Sequence, residues 1–382
     1  MRVLLAVTNA DLAGAPIHVR DLALQLRSAG CTVKVVFGEA GPIQDLLEQS
    51  GIATCVIPSM RSTISPLKDL LSFLRLRALA KEYLPDLLHL HSTKAGLVGR
   101  LVAWSLRLPA VYTVHGWGFG SGRRWHVSIP VFIAELVCRP ITRMYIAVSN
   151  ADRIIGLKRL GISPTRIVTI YNATQFSSRN SRPLIAGLRI IMVARNDHQK
   201  DYETFFRALA RVCFESADVV GRGTDHCSFV AWARGLAGLN ASKIRFLGCR
   251  PDVEILLENA NLMILSSRFE GLPISIIEAM SKSLPVLASN VGGVPELVES
   301  GLNGFLFESG DVDHLVGLIS FMNEQPKMRY SMGEESRSRF ERNFTLQTML
   351  ENTMVQYALA LSSSRAPCST TCVFPNLLRR DG

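Results

Sequence analysis

The stretch "ANLMILSSRFEGLPISIIEAMSKSLPVLAS", residues 260–289, decides the fold. Its first apolar run is short, aliphatic and free of alternation, as expected of a strand buried on both faces of a parallel sheet. A polar loop follows. "PISIIEAMSKS" then has helical apolar spacing, with Pro273 suited to the first turn, and "LPVLAS" reads as a second strand. The whole is one β-α-β unit. It carries two acids with seven residues between them, Glu270 and Glu278. They are open to three readings: a catalytic acid/base pair, the two ends of a ligand clamp, or two solvated residues.

The same rhythm extends in both directions. Upstream, "RVLLAVT", "TVKVVF", "DLLHLH", "AVYTV" and "MYIAVS" are buried-strand runs. They are separated by helical patterns such as "APIHVRDLALQLRSAG" and "SPLKDLLSFLRLRALAKEYL". The polar stretch 172–187, ending in Pro183 and Gly187, breaks the alternation and reads as a linker. "LRIIMVA", "KIRFLG", "ANLMILSS", "LPVLAS" and "GFLF" then restart it. Strands alternating with helices of this length imply right-handed crossovers. The expected fold class is therefore α/β, with two doubly wound Rossmann-like domains facing a cleft.

Bulk properties agree. A chain of 382 residues exceeds one ordinary core, and 48% hydrophobic with 19% charged residues describes a folded protein. No apolar run reaches the ~18–20 residues of a membrane span, and "MRVLLAVTNA" reads as a first strand rather than a leader, so a cytoplasmic location is expected. Eight cysteines without a C-x-x-C pair read as reduced thiols filling core space, and Cys368 and Cys372 in the tail carry little metal signal. The formal charge of +10 calls for a partner. No aromatic-interleaved basic strand is present, so nucleic acid is not expected. The basic excess between Arg123 and Arg166 suits an anionic membrane surface or phosphorylated substrates better.

In doubly wound sheets the chemistry sits in loops after the strands. Four glycines follow "AVYTV", at 116, 118, 120 and 122, but no G-x-G-x-x-G register fits, which argues against a dinucleotide oxidoreductase. His115 directly follows that strand, beside glycines that let a ligand approach the backbone. Arg195 follows "LRIIMVA", and Lys200 stands five residues on, ahead of a helix, a placement suited to a diphosphate. Gly14 leaves backbone amides open at the first strand-to-helix loop. With Glu270 in a loop and Glu278 in the second helical turn, the two carboxylates are expected on the order of 10 Å apart. That exceeds the ~5–9.5 Å of hydrolytic pairs. It fits a clamp on hydroxyls at the two ends of a sugar nucleotide, with Arg195 and Lys200 at its middle.

At this point the chain resembles a known family. "EGLPISIIEAM" looks like the paired-glutamate motif of glycosyltransferase family 4, retaining enzymes of the GT-B fold. "HSTKAGLVGR", "TVHGWGF", "AVSNADR", "VARNDHQKDYETFFRAL" and "VGGVPELVESGLNGFLF" follow in the family's order, so the likeness spans residues 1 to about 361. It resembles most the bacterial capsule and exopolysaccharide transferases. The resemblance implies that Arg195 and Lys200 hold the donor diphosphate and Glu278 the ribose hydroxyls. Glu270, with the amides near Gly271 and Leu272, would hold the transferred sugar. His115 would lie near the reacting carbon, and Gly14 would border diphosphate and acceptor. Departures are "AGAP" in the first loop, Ala194 before the arginine, "NAT" after "IY", and Arg222 where relatives often carry an acid, which affects nucleobase recognition around 213–230.

The expected division is 1–175 for an acceptor-binding domain, 176–187 for the linker and 188–345 for a nucleotide-sugar domain. A helix at 346–362 packs back on the first domain, and 363–382 is an irregular tail. The expected activity is metal-independent, retaining transfer from a nucleotide diphosphate sugar, a UDP-sugar foremost, to a glycan or polyprenyl-linked acceptor. No cofactor is expected, the donor being a co-substrate. The expected location is peripheral, on the inner face of the cytoplasmic membrane. The alternatives are a degenerate GT-B protein that binds without turnover, countered by its intact Arg195, Lys200, Glu270 and Glu278, and a sugar-nucleotide epimerase on the same fold. Slow hydrolysis of a nucleotide sugar separates the first, and the identity of the released sugar the second.

Overall fold

The computed structural model describes residues 1–61, 65–120, 125–175 and 187–362. Arg123, Arg124, the linker residues 176–186, Cys368, Cys372 and the tail 363–382 lie outside them.

The first half forms a parallel sheet of seven strands: β1 (Arg2–Val7), β2 (Thr32–Phe37), β3 (Ala53–Val56), β4 (Leu87–His91), β5 (Ala110–Val114), β6 (Met144–Ala147) and β7 (Ile167–Thr169). Their order is β3-β2-β1-β4-β5-β6-β7. The second half forms a parallel sheet of six: β8 (Arg189–Val193), β9 (Ser216–Val220), β10 (Ile244–Gly248), β11 (Leu262–Leu265), β12 (Val286–Ser289) and β13 (Gly304–Phe307). Their order is β10-β9-β8-β11-β12-β13. All ten strands expected from the sequence are present. β3, β7 and β9 are additional. The first two are edge strands whose half-buried residues lack a continuous apolar run. β9 hides behind Asp218, whose carboxylate is paired in bidentate fashion with Arg245 of β10 at 2.6 Å.

Strand order reverses between β1 and β4 in one sheet and between β8 and β11 in the other. Such switch points open crevices at the carboxyl ends of strands. Here β1 leads into helix Gly14–Ser28, β8 into helix Tyr202–Leu209 and β11 into helix Ile274–Ser281. Pro273 stands just ahead of the last helix in an extended conformation, not inside its first turn.

The helix Leu346–Ser362 crosses back to the first half. It buries Met349, Leu350, Tyr357 and Ala360 in the same apolar cluster as Val3, Leu5 and Val35. Each large side chain so buried contributes about 1.5–3 kcal/mol, and the Tyr357 hydroxyl also meets His89 Nδ1 at 2.6 Å. The polar stretch at 172–175 is not slack. The Asn172 amide donates to the Leu272 carbonyl at 2.7 Å, and Thr174 pairs with Thr345. The two halves also meet where Glu296 accepts hydrogen bonds from the Asn150 and Ala151 amides, at 2.8 and 2.9 Å, opening the helix Asn150–Leu160.

The cysteines depart from expectation. Cys31 and Cys138 are buried, but Cys213, Cys227 and Cys249 are exposed. They sit at helix and loop surfaces rather than filling a core.

Candidate active site

A cavity of about 1170 Å³ lies between the two sheets. Gly14, His115, Arg195, Lys200, Glu270, Gly271, Leu272 and Glu278 all line it, drawn from the loops and helices that follow β1, β5, β8 and β11. The floor is closed by backbone meeting backbone. A Cβ added at Gly271 would stand 3.1 Å from the His115 carbonyl and 3.2 Å from the Gly116 amide nitrogen, and Gly116 itself has φ +93°. The close approach of the two loops thus favours glycine at 271, where a side chain would crowd the facing backbone, and the left-handed backbone favours it at 116.

The wall of the second half is charged. Glu270 is held from three directions. Lys200 Nζ and Ser267 Oγ (2.7 Å) donate to one carboxylate oxygen, and Gln199 Nε2 donates to the other at 2.9 Å. A carboxylate accepts about four hydrogen bonds, so one acceptor position on Oε2 is left for a ligand. Gln199 also donates to the Phe269 carbonyl at 2.9 Å, which fixes the loop. Both members of the Lys200–Glu270 pair are almost out of solvent, with side chains 11% and 5% exposed. Arg195 instead stays half open to the cleft, leaning on Asp197 at 2.5 Å.

Glu278 is unlike Glu270. No donor among the described residues holds its carboxylate. Desolvation, reinforced by the nearby Asp21 charge and offset in part by Arg20, raises its pKa to about 7. An acid left without a partner in a cavity wall is where a ligand hydroxyl would bind.

The wall of the first half carries Arg20 and Asp45 at its margin and neutral groups around Gly14 and His115. The Gly14–Ser28 helix begins without a side-chain cap, and nothing lies within 4 Å of a Cβ added at Gly14, so its first amides open onto the cavity. His115 Nε2 lies 3.1 Å from Nδ1 of the buried His91. His18 packs against both, with ring centroids 5.3 Å from His91 and 4.9 Å from His115. Burial lowers His18 to about 4, although the Asn172 side chain pulls the other way. Burial, reinforced by neighbouring rings, holds His91 and His115 well below the usual histidine range. All three are neutral imidazoles near pH 7.

Several of these groups left no sequence signal. Gln199 and Ser267 look like ordinary loop residues until Glu270 folds against them. His18 and His91 belong to different elements, so no metal-type spacing announces their approach to His115. Arg222, an oddity in sequence, pairs across the cleft with Asp11 at 2.7 Å. Much of the basic run binds the protein itself. Arg139 donates to the Leu160 carbonyl (2.8 Å), Arg166 to those of Arg139 (2.8 Å) and Thr142, and Arg153 to that of Ile167 (3.3 Å).

Comparison with known families decides the class. Residues 12–177 match the glycosyltransferase family 4 model, and residues 185–339 match the model of glycosyl transferases group 1. The chain belongs to glycosyltransferase family 4. Gly14 and His115 of this transferase fall in the first matched segment, and Arg195, Lys200, Glu270 and Glu278 in the second. Its curated relatives include the UDP-Gal:alpha-D-GlcNAc-diphosphoundecaprenol alpha-1,3-galactosyltransferase of Escherichia coli. That enzyme is 28% identical over 334 residues, covering 82% of this chain and 85% of the relative. The O-antigen biosynthesis glycosyltransferase WbnH of Escherichia coli is 27% identical, over 80% of this chain and 86% of that one. Among solved structures, Anabaena Alr3699/HepE in complex with UDP-glucose superposes with a TM-score of 0.81 at 24% identity, over 94% of this chain and 99% of that one. WaaG, a glycosyltransferase involved in lipopolysaccharide biosynthesis, gives a TM-score of 0.72 at 16% identity, over 92% and 99%. The two parallel sheets are the GT-B fold.

Proposed function

We propose that this glycosyltransferase moves a sugar from a UDP-sugar to a lipid-linked glycan, with retention of configuration and without a metal ion. The observation that carries this reading is the unequal pair of acids. Glu270 is locked by Lys200, Ser267 and Gln199 with one acceptor position left, while Glu278, in the same cavity, has no hydrogen-bond donor on its carboxylate among the described residues. A donor laid between them would place sugar hydroxyls at Glu270 and ribose hydroxyls at Glu278. Its diphosphate would rest on Arg195 and Lys200, the latter shared with Glu270. The amides of Gly271 and Leu272 and the open helix start at Gly14 would add hydrogen bonds to sugar and diphosphate.

In the reaction, the bond from the anomeric carbon to the diphosphate oxygen breaks. The acceptor hydroxyl oxygen forms the new bond on the same face, and its proton passes to the departing phosphate. Charge grows on that phosphate, where Arg195 and Lys200 stabilise it. His115, neutral and at the cleft, would orient the sugar near the reacting carbon.

The names of relatives support the donor and acceptor classes. One acts from UDP-Gal on a diphosphoundecaprenol-linked GlcNAc, and Anabaena Alr3699/HepE was solved with UDP-glucose. A lipid acceptor also suits a peripheral place on the inner face of a membrane. The first half exposes apolar side chains on neighbouring helices, Leu67, Leu70 and Leu74 on one, Trp104 on the next, Ile129 and Ile133 on a third. Among the described residues no helix is long and apolar enough to cross a membrane.

The test offers UDP-galactose, UDP-glucose, GDP-mannose and ADP-glucose with a GlcNAc-diphospholipid acceptor in EDTA. The reading predicts an α-linked product from a UDP-sugar at a rate that EDTA leaves unchanged. An inverted product, a strict need for manganese or magnesium, or a clear preference for GDP- or ADP-sugars contradicts it.

A further inference from the structure

Among the described residues, His18 Nδ1, His91 Nε2 and His115 Nδ1 are buried without a hydrogen-bond partner, as is Oδ1 of Asn172, whose side chain acts on His18. Orphaned polar atoms in a protein interior are rare and call for an explanation. The three histidines also form a cluster in which one ring nitrogen of each lies within 4.8 Å of the others. For His91 and His115 the facing nitrogens are Nδ1 and Nε2, which meet at 3.1 Å, so an ion there would take the place of that contact rather than bind the orphaned nitrogens. Neutral imidazole is the form that ligates metal. His91 is fixed from behind. His91 stacks on His89 at 4.3 Å between centroids, and His89 is pinned by Tyr357 and Thr113 at 2.6 and 2.7 Å. Only His115 borders the cavity.

We infer that His18, His91 and His115 form a site for a borderline divalent transition ion such as Zn2+, loaded from the cleft, and that occupancy withdraws His115 from the substrate. Three histidines with a fourth position open is a known zinc ligand set. Around a tetrahedral ion with bonds of ~2.0–2.1 Å, ligand nitrogens stand roughly 3.4 Å apart. The widest separation here, 4.8 Å at most, closes to that value if each ring of the pair moves inward by about 0.7 Å. Hard cations such as Mg2+ prefer oxygen ligands and find none in this triad. The ion is an inhibitor rather than a participant, since the diphosphate-facing cations Arg195 and Lys200 lie on the opposite wall.

The metal-binding claim stands apart from the donor and acceptor reading, and its test does not need turnover. The full-length protein, stripped with EDTA and desalted, is titrated with Zn2+ against a chromophoric chelator. One ion per chain is expected at this site, and Co2+ in its place should give visible d–d bands without a thiolate charge-transfer band. His91→Gln and His115→Gln should each weaken binding more than about 100-fold, beyond what loss of an outer-sphere partner costs. His314→Gln, at an exposed helix position, should leave it intact. His115→Gln, at the cavity edge, serves if the buried variant misfolds. Absence of stoichiometric binding, binding that survives both cluster variants, or a Co2+ spectrum dominated by thiolate overturns the site. If zinc binds there, it should slow transfer and EDTA should restore it. Full-speed transfer by the zinc-loaded enzyme overturns the blockade.

Discussion

The two walls of the cleft are built by the same architecture and carry opposite chemistry. Each is the carboxyl edge of a parallel sheet at its switch point. The edge of the second sheet presents Arg195, Lys200, Glu270 and Glu278. The edge of the first presents an uncapped helix start at Gly14 and a stack of neutral histidines. The contrast shows that the fold supplies a position and the side chains divide the labour. A charged wall can hold a diphosphate and answer charge as it develops. The histidine-lined part of the other wall can admit an acceptor hydroxyl beside neutral imidazoles.

The largest expected difference between the walls lies in stability. Lys200 and Glu270 are a nearly buried pair, and removing one member of such a pair costs about 3–5 kcal/mol. Lys200→Ala should lose about that much in urea unfolding. Arg195→Ala, whose partner Asp197 is also partly open, should lose less than about 1 kcal/mol. On the histidine-lined wall, His115→Gln removes one contact at 3.1 Å and should cost about 1 kcal/mol. Equal small losses for Lys200→Ala and Arg195→Ala would show that Glu270 is not locked in solution.

A smaller effect sharpens the contrast through pH. Glu278 titrates near 7, so its carboxylate, the form that accepts from two ribose hydroxyls, fills in between pH 6 and 8. UDP binding should tighten by about tenfold over that range, with proton release, following proton linkage at one site. The sign for the empty protein is the reverse. Because burial raises this pKa, Glu278 favours folding when protonated, and that contribution fades as pH rises from the ordinary carboxylate range through about 7. Calorimetry of UDP binding at several pH values checks the first statement. Glu278→Gln should flatten the profile relative to the background from UDP itself, whereas His115→Gln should not, because burial holds His115 well below that range.

Much of this was legible in the sequence. Continuous aliphatic runs ending in Gly- or Pro-marked loops mark buried parallel strands, so both sheets, the placement of Arg195, Lys200 and Glu270 in loops after strands and that of Glu278 in the following helix follow from local pattern. What was not legible is whatever depends on side chains meeting across elements. Lys200 is engaged with Glu270 as well as facing the cavity, and Gln199 became visible only through that contact. The raised pKa of Glu278 arises from packing and from Asp21, more than 250 positions away in sequence. Nor can sequence show that, in the basic stretch between Arg123 and Arg166, Arg139, Arg153 and Arg166 donate to backbone carbonyls. The histidine triad is the clearest case, since β4, the loop after β5 and the first helix each contribute a single residue.

The central claim is that the two acids grip opposite ends of one donor, and free UDP, which has the ribose but no sugar, tests it most directly. By calorimetry at pH 7.5, Glu270→Gln should bind UDP nearly as well as the unaltered protein and show its loss in turnover with the UDP-sugar. Glu278→Ala should weaken UDP binding by about 2–4 kcal/mol through two lost charge-assisted hydrogen bonds. Equal loss of UDP binding in both variants would contradict the account, placing both carboxylates on the same end of the ligand.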